Sequence, residues 1–367
     1  MLQAQLDDGR MILLAAYRKE QIQFFRQAHF FCPVCRKPVK IRAGKKTIPH
    51  FAHVHIQDCE MEGKGEGLYH LRGKLQLYHW LKKQGYTVNV EERIVNTQRR
   101  PDLLVHAKGG KKIAIEYQCA SISDDELISR NEVYQQRGIQ AVWILGGNRL
   151  KRTSTYLFHL PRKEQRFLMK LKPDLPLQML YYCADAQAFY NVQHILLTGK
   201  KQTVGQFYFR SLQQIKFPQL FQPLPKHQQA IDLAWEQLQS RTIAKPLTYA
   251  PRSVKQWVMQ IYEKGYLLQD IPISILQPVE SQFRFSVPPF IWQTDLWLHQ
   301  LDTAAVGENI TLAQLFYTCR RWETAIKPFA VHTTKHPVAT YMEKLCQMGM
   351  FEQNKDGSFL KLKASPF

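Results

Sequence analysis

The sequence is short of acidic residues. Its 367 residues hold 50 Lys and Arg against 30 Asp and Glu, a net charge of +20 at pH 7. This imbalance argues against a cationic partner and favours a polyanion, with nucleic acid ahead of a membrane surface. The excess is uneven, since residues 1–150 hold 24 basic and 15 acidic residues, 151–225 hold 11 and 3, and 226–367 hold 15 and 12. We therefore expect the first 225 residues to make any phosphate contacts.

Long apolar runs and a disulfide framework are also missing. No stretch approaches ~18 uninterrupted apolar residues, so we expect no transmembrane helix. The first twenty residues place acids where a secretory signal has basic residues, which predicts a cytoplasmic protein. The cysteine count is seven, an odd number, and Cys32 and Cys35 have the Cys-x-x-Cys spacing of a metal site or a redox motif.

The hydrophobic pattern divides the chain into four segments. We predict an N-terminal metal-binding module (1–62), an α/β domain (63–150), a basic connector (151–225) and a mostly helical C-terminal domain (226–367). The α/β segment is predicted in the order helix, three strands, helix, strand. Near the C-terminus a helix followed by a hairpin at Asp356-Gly357 is typical either of a winged helix or of a plain helix–hairpin.

Two of the predicted strands each carry one acid, Asp102 and Glu116, and a glycine hairpin joins them. Residues two apart on a strand share a face, so Glu116 and Gln118 point the same way. Paired strands lie ~4.8 Å apart, and two carboxylates at that distance repel each other unless a cation lies between them. Mg²⁺ or Mn²⁺ would suit these ligands and could activate water against a phosphodiester. The alternative is a pair of exposed acids on a two-stranded ribbon.

The spacing Asp-x(13)-Glu-x-Gln, after a helix that carries Glu66, resembles the core of PD-(D/E)xK nucleases. Residues 1–150 as a whole resemble the CoiA family of competence proteins, through FCPVC, IPHFAH, EGLYHLRGK, RRPD, IAIEYQCASIS and AVWIL in that order. The resemblance implies an α/β fold with a restriction-endonuclease-like core (αβββαβ).

The resemblance also implies roles for individual residues. Asp102 and Glu116 would be the principal metal ligands, and Glu66 would complete the site directly or through water. Gln118 stands where the superfamily usually has lysine, so it offers only neutral hydrogen bonds. His70 and Lys74, on the same helix face as Glu66, are candidates for the missing positive charge, unless that face is merely solvated. Adjacent arginines would contact phosphates, namely Arg99 and Arg100.

A second cluster of ligand types begins at Cys32 and Cys35. His50, His53, His55 and Cys59 follow within 24 residues of Cys35, and tetrahedral Zn²⁺ needs two ligands beyond the thiolates. If HFAH is a strand, His50 and His53 face opposite sides, which favours His53 with Cys59. If Pro49 opens a helix, both histidines share a face. We predict a structural zinc site formed by Cys32, Cys35, His53 and Cys59, with His50 as the next candidate.

By resemblance, the protein is expected to be a Mg²⁺- or Mn²⁺-dependent deoxyribonuclease. It would act on incoming DNA, single-stranded or branched, during natural transformation, beside RecA-type recombination machinery. The alternative is a non-catalytic, nucleic-acid-binding recombination mediator that lost its chemistry through the exchange of lysine for Gln118. The two hypotheses differ in whether the strand acids converge on a metal or whether Glu116 is held in a salt bridge.

Overall fold

The computed structural model describes residues 1–14, 17, 19–33, 35–44, 49–54, 67–244, 252–324, 328, 330–331, 335–364 and 366. The chain divides into two compact units. The first comprises residues 1–150, 180–191 and 209–221, and the second comprises residues 151–179, 192–208 and 222–367. Among the described residues, no helix has both the length and the apolar character needed to cross a membrane.

The first unit begins with a small antiparallel sheet. Its strands are β1 (Gln3–Leu6), β2 (Met11–Leu13), β3 (Phe30–Phe31), β4 (Pro38–Arg42) and β5 (His50–His53), in the order β2-β1-β3-β4-β5. One short helix, α1 (Lys19–Phe24), lies between β2 and β3 in the chain. The inward positions of the strands alternate with polar outward positions and form an apolar core that includes Ala4, Phe30, Val39 and Phe51.

The second part of this unit has the predicted element order. It consists of α2 (Leu68–Lys83), β6 (Thr87–Val90), β7 (Leu103–His106), β8 (Lys112–Gln118), α3 (Asp124–Gln136) and β9 (Ile139–Gly146). Strands β6, β7 and β8 pair antiparallel, and β9 pairs parallel to β8 after the crossover through α3. The mixed α/β fold predicted from the sequence is confirmed, and its core has the order αβββαβ.

The segment interpreted as a basic connector is rich in strands. It contains β10 (Lys151–Arg152), β11 (Leu157–His159), β12 (Met169–Lys170), β13 (Gln178–Cys183), β14 (Ala188–Leu196) and β15 (Gln202–Ser211). The last three contribute residues to both units. In the first unit, β13 pairs parallel to β9, with Tyr181 opposite Leu145. The basic and aromatic stretch between β11 and β12 is a 3₁₀ helix, Arg162–Phe167.

The second unit ends in helices and a small sheet. Its helices are α4 (Gln228–Ile243), α5 (Arg252–Glu263), α6 (Pro289–Leu296), α7 (Leu312–Cys319) and α8 (Pro337–Gln347), and a π-helical turn, Trp297–Leu301, follows α6. The strands are β16 (Asn309–Ile310), β17 (Ala330–Val331), β18 (Phe351–Gln353) and β19 (Phe359–Lys361). β19 lies between β16 and β18 in the small sheet, while β17 pairs with β12. Helices α7 and α8 followed by the β18–β19 hairpin agree with a winged-helix interpretation, which stays a prediction.

Helix α2 approaches strand β8 closely because it has a glycine at the contact. A Cβ added to Gly73 would lie 2.2 Å from the ring of Tyr117. That ring is 1% exposed, and its hydroxyl donates a hydrogen bond to the carbonyl of Tyr182 (3.0 Å). The ring therefore has little room to move, so Gly73 sets the distance between α2 and the strand that carries Glu116.

We expect Gly73→Ala to lower the free energy of unfolding by about 1–3 kcal/mol, because the added methyl group overpacks a filled site. Gly67→Ser is the control, since a Cβ there meets no atom within 4 Å and serine is favoured at the helix N-cap that Gly67 occupies. Urea unfolding of both variants beside the wild type measures the difference. Equal stability of the two variants would contradict the close contact.

Candidate functional site

Asp102 lies immediately before β7, at the point where the ladder with β8 ends. The paired residues run from His106 opposite Lys112 to Leu103 opposite Ile115, so one further step places Asp102 opposite Glu116. The backbone N–H of Tyr117 donates to Oδ2 of Asp102 at 2.8 Å. The Asp102 carboxylate thus accepts from the β8 backbone beside Glu116, as the hairpin prediction requires.

Helix α2 supplies two further partners to Asp102. His70 Nε2 lies 3.2 Å from Oδ2, and Lys74 Nζ lies 3.3 Å from Oδ1. Burial by itself would raise the pKa of Asp102, but the charges of His70 and Lys74 and the hydrogen bonds outweigh burial and hold this pKa below its ordinary value of 3.8. Asp102 is therefore an anion at neutral pH.

Lys74 is completely buried, which for a lysine requires anionic partners. Its ammonium lies 2.5 Å from Oε1 of Glu91, in addition to its contact with Asp102. The other carboxylate oxygen of Glu91 accepts from the backbone N–H of Leu2 at 3.4 Å. Lys74 thus sits between two acids, and its cationic head is fixed close to Asp102.

Glu116 lies in the middle of the site on β8 and is 1% exposed. Helix α3 supplies its partners: Arg130 NH1 donates to Oε2 at 2.9 Å, and the Tyr134 hydroxyl donates to Oε1. Burial raises the pKa of Glu116 to about 7, the Arg130 charge opposes that rise, and the negative charge of Asp102 adds to it. The two strand carboxylates are therefore electrostatically coupled, and each is compensated by a different helix.

Arg130 also joins Glu116 to a more exposed ion-pair network. Its Nε donates to Oε1 of Glu126 at 2.8 Å, and Arg99 NH1 donates to the same oxygen at 2.7 Å. Glu126, Arg130 and Tyr134 follow one another at four-residue steps along α3, so they share one helix face. The spacing shows that the three residues share a helix face but does not specify what that face contacts, so Arg130 and Tyr134, like Glu91, were not among the predicted site residues.

The remaining predicted residues are distributed as follows. The Gln118 side chain donates to the carbonyl of Ala120 at 2.9 Å, and Glu66 lies outside the described residues. Arg99 is engaged by Glu126, and by Ser129 at 2.6 Å, while Arg100 donates to the carbonyl of Pro33 at 2.9 Å. The structure thus brings Asp102, His70 and Lys74 together, with Glu116 coupled to them.

The cysteine–histidine cluster lies in the N-terminal sheet. The ligand atoms of Cys32, Cys35 and His53 lie within 4.8 Å of one another, and Cys35 Sγ is 3.3 Å from His53 Nε2. Cys32 follows β3, and His53 is the last residue of β5, opposite Val39 of β4. Two thiols and an imidazole fit a tetrahedral transition metal in donor type, so this group could bind one.

Position along β5 separates the two candidate histidines. His53 is buried and joins the cysteines, whereas His50, opposite Arg42, faces the other side of the strand. His50 is not a member of the cluster found among the described residues. Cys59 and His55 lie outside the described residues.

The strand acids fit a different kind of ion. Their oxygen atoms are the ligands that Mg²⁺ and Mn²⁺ prefer. Burial is the main cause of the raised pKa of Glu116, the charge of Asp102 adds to it, and a cation between the two carboxylates would offset that charge. Arg130 and Tyr134 each donate to one oxygen of Glu116, so a bound ion would compete with Arg130 for that carboxylate. The carboxylate oxygens of Asp102 and Glu116 therefore fit a hard divalent cation. In the structure, the side chains of Lys74 and Arg130 compensate their negative charge.

Comparison with known proteins gives one consistent result along the chain. Three family models match: the CoiA N-terminal domain over residues 14–62, the CoiA nuclease-like domain over residues 66–225, and the CoiA C-terminal domain over residues 231–367. A relative described as competence protein CoiA, from Bacillus subtilis (strain 168), is 28% identical over 345 residues. That alignment covers 92% of this chain and 90% of the relative.

We expect His53→Ala and Cys35→Ser to abolish binding of a transition metal, because each removes one ligand from the cluster. His50→Ala is the matched control and should keep the metal, since its side chain faces away from the cluster. Elemental mass spectrometry of the purified proteins measures the metal content. Equal metal loss in both histidine variants would refute this ligand assignment.

The raised pKa of Glu116 predicts a pH-dependent stability difference. Because the pKa of Glu116 is higher in the folded protein than in the unfolded chain, the protonated carboxyl favours folding. This contribution to the free energy of unfolding is complete below the ordinary pKa of 4.5 and is lost as the pH rises through about 7. Glu116→Gln does not titrate. Its free energy of unfolding relative to wild type should therefore increase by about 1–3 kcal/mol between about pH 5 and about pH 8. Urea unfolding at both pH values measures it, and a difference that does not change with pH would contradict the assignment.

Proposed function

Because the chain belongs to the CoiA family of competence proteins, we propose that it is a metal-dependent deoxyribonuclease that processes incoming DNA during natural transformation. The observation that carries the proposal is the pair Asp102 and Glu116, which lie side by side where β7 and β8 pair in the nuclease-like core, with Glu116 buried. Placing a buried carboxylate beside a second carboxylate is costly, and a divalent ion bound between them would offset that cost.

Asp102 and Glu116 would hold Mg²⁺ or Mn²⁺. When bound, such an ion lowers the pKa of a coordinated water molecule and polarises the phosphoryl group. Asp102 is suited to its role because His70, Lys74 and the Tyr117 N–H keep it ionised and oriented. Glu116 becomes available as a ligand when Arg130 releases it, and Arg130 keeps Glu126 as a partner after that release.

Lys74 would supply the positive charge that Gln118 cannot. Its ammonium is held 3.3 Å from Asp102 by a helix instead of by the strand position usual in the superfamily. Glu91 orients the ammonium from the other side. A buried cation beside the metal ligands stabilises negative charge that develops on the phosphate, and it does so without reorganisation. The His70 ring, stacked on Tyr117 with centroids 5.5 Å apart, is fixed against the same carboxylate.

The N-terminal cluster and the remaining segments also have proposed roles. The Cys32–Cys35–His53 cluster would hold a structural Zn²⁺, with Cys59 as the fourth ligand. We retain the four segments predicted from the sequence, 1–62, 63–150, 151–225 and 226–367, as the proposed domain limits. The protein would act in the cytoplasm on single-stranded or branched DNA. RecA-type recombination machinery is the proposed partner, since processed strands are its substrate.

A second candidate function is supported by the partners of Glu116. Arg130 and Tyr134 already satisfy that carboxylate, and the Gln118 amide is turned to the carbonyl of Ala120. A protein that had lost nuclease activity would keep these contacts of Glu116 and Gln118 because they stabilise the fold. It would then be a non-catalytic mediator that binds nucleic acid during recombination.

Nuclease assays on single-stranded, duplex and branched DNA with Mg²⁺ or Mn²⁺ separate the two functions. We expect the wild type to cleave at least one substrate, and Asp102→Ala and Glu116→Ala to lower the rate by about a hundredfold or more. Asp125→Ala, at an exposed acid in the first turn of α3, is the matched control and should cleave like wild type.

Binding of the same DNA is measured beside cleavage by fluorescence anisotropy. Failure of the wild type to cleave any substrate, with DNA binding intact in all four proteins, would refute the nuclease and leave the mediator.

A further inference from the structure

The N-terminal module, residues 1–62, is basic. It holds ten Lys or Arg against six acids, a net of +4, and three of those acids, Asp58, Glu60 and Glu62, lie outside the described residues. Asp7 and Asp8 lie in the turn between β1 and β2, where Asp8 pairs with Arg10, and Glu20 lies in α1. The strands of the module therefore carry basic residues but no acidic ones.

Strand alternation places the basic residues of β4 and β5 on one face. In β4, Val39 points inward to the core, while Lys40 and Arg42 are exposed. The register sets Arg42 opposite His50 and Lys40 opposite Ala52, and directly opposed residues project to the same side. His50 therefore belongs to the outward face, in contrast to His53 on the metal side.

The same face continues onto β3 and β1. Phe31 lies opposite Pro38 of β4 on one side and opposite Gln5 of β1 on the other, so Phe31 and Gln5 project to the same outward face as Pro38. Arg36, which directly follows Cys35, donates a hydrogen bond to the Gln5 side chain. Arg36 thus lies over this face, and the backbone of the cysteine turn holds it, since its N–H donates to the Cys32 carbonyl at 2.9 Å.

We propose that this basic sheet face, formed by Arg36, Lys40, Arg42 and His50, binds the phosphate backbone of single-stranded DNA. The inference rests on the proposed function for its substrate class, DNA, and adds the surface that holds it. Lys40 and Arg42 are two residues apart and so ~6.8 Å apart along the strand. That step is comparable with the spacing of neighbouring phosphates on an extended strand, and Phe31 offers an aromatic ring of the kind single-strand surfaces use.

The experiment measures DNA affinity of the full-length protein as a function of salt. The probe is a fluorescent single-stranded oligonucleotide without metal, and a duplex of the same length is the second arm. The test variant is Lys40→Glu with Arg42→Glu. The matched control is Lys108→Glu with Lys111→Glu, the same charge change at exposed residues of the β7–β8 hairpin turn, at the end of the hairpin remote from Asp102.

We expect the test variant to bind the single strand about tenfold or more weakly than the control, with the salt slope reduced by about 1.4 for two lost phosphate contacts. Metal content shows whether the variant keeps its fold. If it does not, Lys40→Gln with Arg42→Gln is the deciding variant and should show the same direction of change.

Binding by the test variant equal to that of the control would overturn the proposal, and so would a loss confined to duplex DNA. Failure of the wild type to cleave DNA in the nuclease assay, together with the expected binding difference between test and control variants, would refute the nuclease and leave this surface in place. The two failures are thus distinguishable.

Discussion

The nuclease-like core holds two carboxylates side by side, Glu116 buried on β8 and Asp102 directly before β7. Burial and the negative charge of Asp102 raise the pKa of Glu116, and cations from two helices compensate the pair, Lys74 on α2 and Arg130 on α3. Removing one member of such a set leaves an uncompensated buried charge. The position of both helices against the sheet is therefore tied to the acids, and Gly73 allows the approach of α2 to β8.

Much of the fold could be predicted because the α/β segment obeys simple periodicities. The three-residue and four-residue steps of α2 and the Gly109-Gly110 turn between β7 and β8 are local signals, and the predicted element order is confirmed. Residues 151–225 were harder to interpret. Their strands pair with partners far along the chain, as β13 does with β9, and long-range pairing has no local signature.

The candidate site was predictable where the motif fixed the spacing. Asp102 contacts His70 and Lys74 of α2, and their role in a metal site stays a prediction. His53 lies with the cysteines and His50 faces the other side because β5 is a strand, which is one of the two arrangements that the sequence left open. Glu91, Arg130 and Tyr134 could not be derived in this way. Their contacts with the acids depend on how α2 and α3 pack on the sheet, which the spacing of charged residues along one helix does not specify.

We propose that Asp102 and Glu116 form a site for a divalent ion and that the ion competes with Arg130 for Glu116. Anomalous diffraction from crystals grown with Mn²⁺ tests it most directly, because the signal locates the ion without reference to activity. We predict a manganese peak beside the carboxylates of Asp102 and Glu116, with Arg130 no longer within hydrogen-bonding distance of Glu116. Crystals without manganese at that position, in which the Arg130–Glu116 pair is intact, would contradict the account.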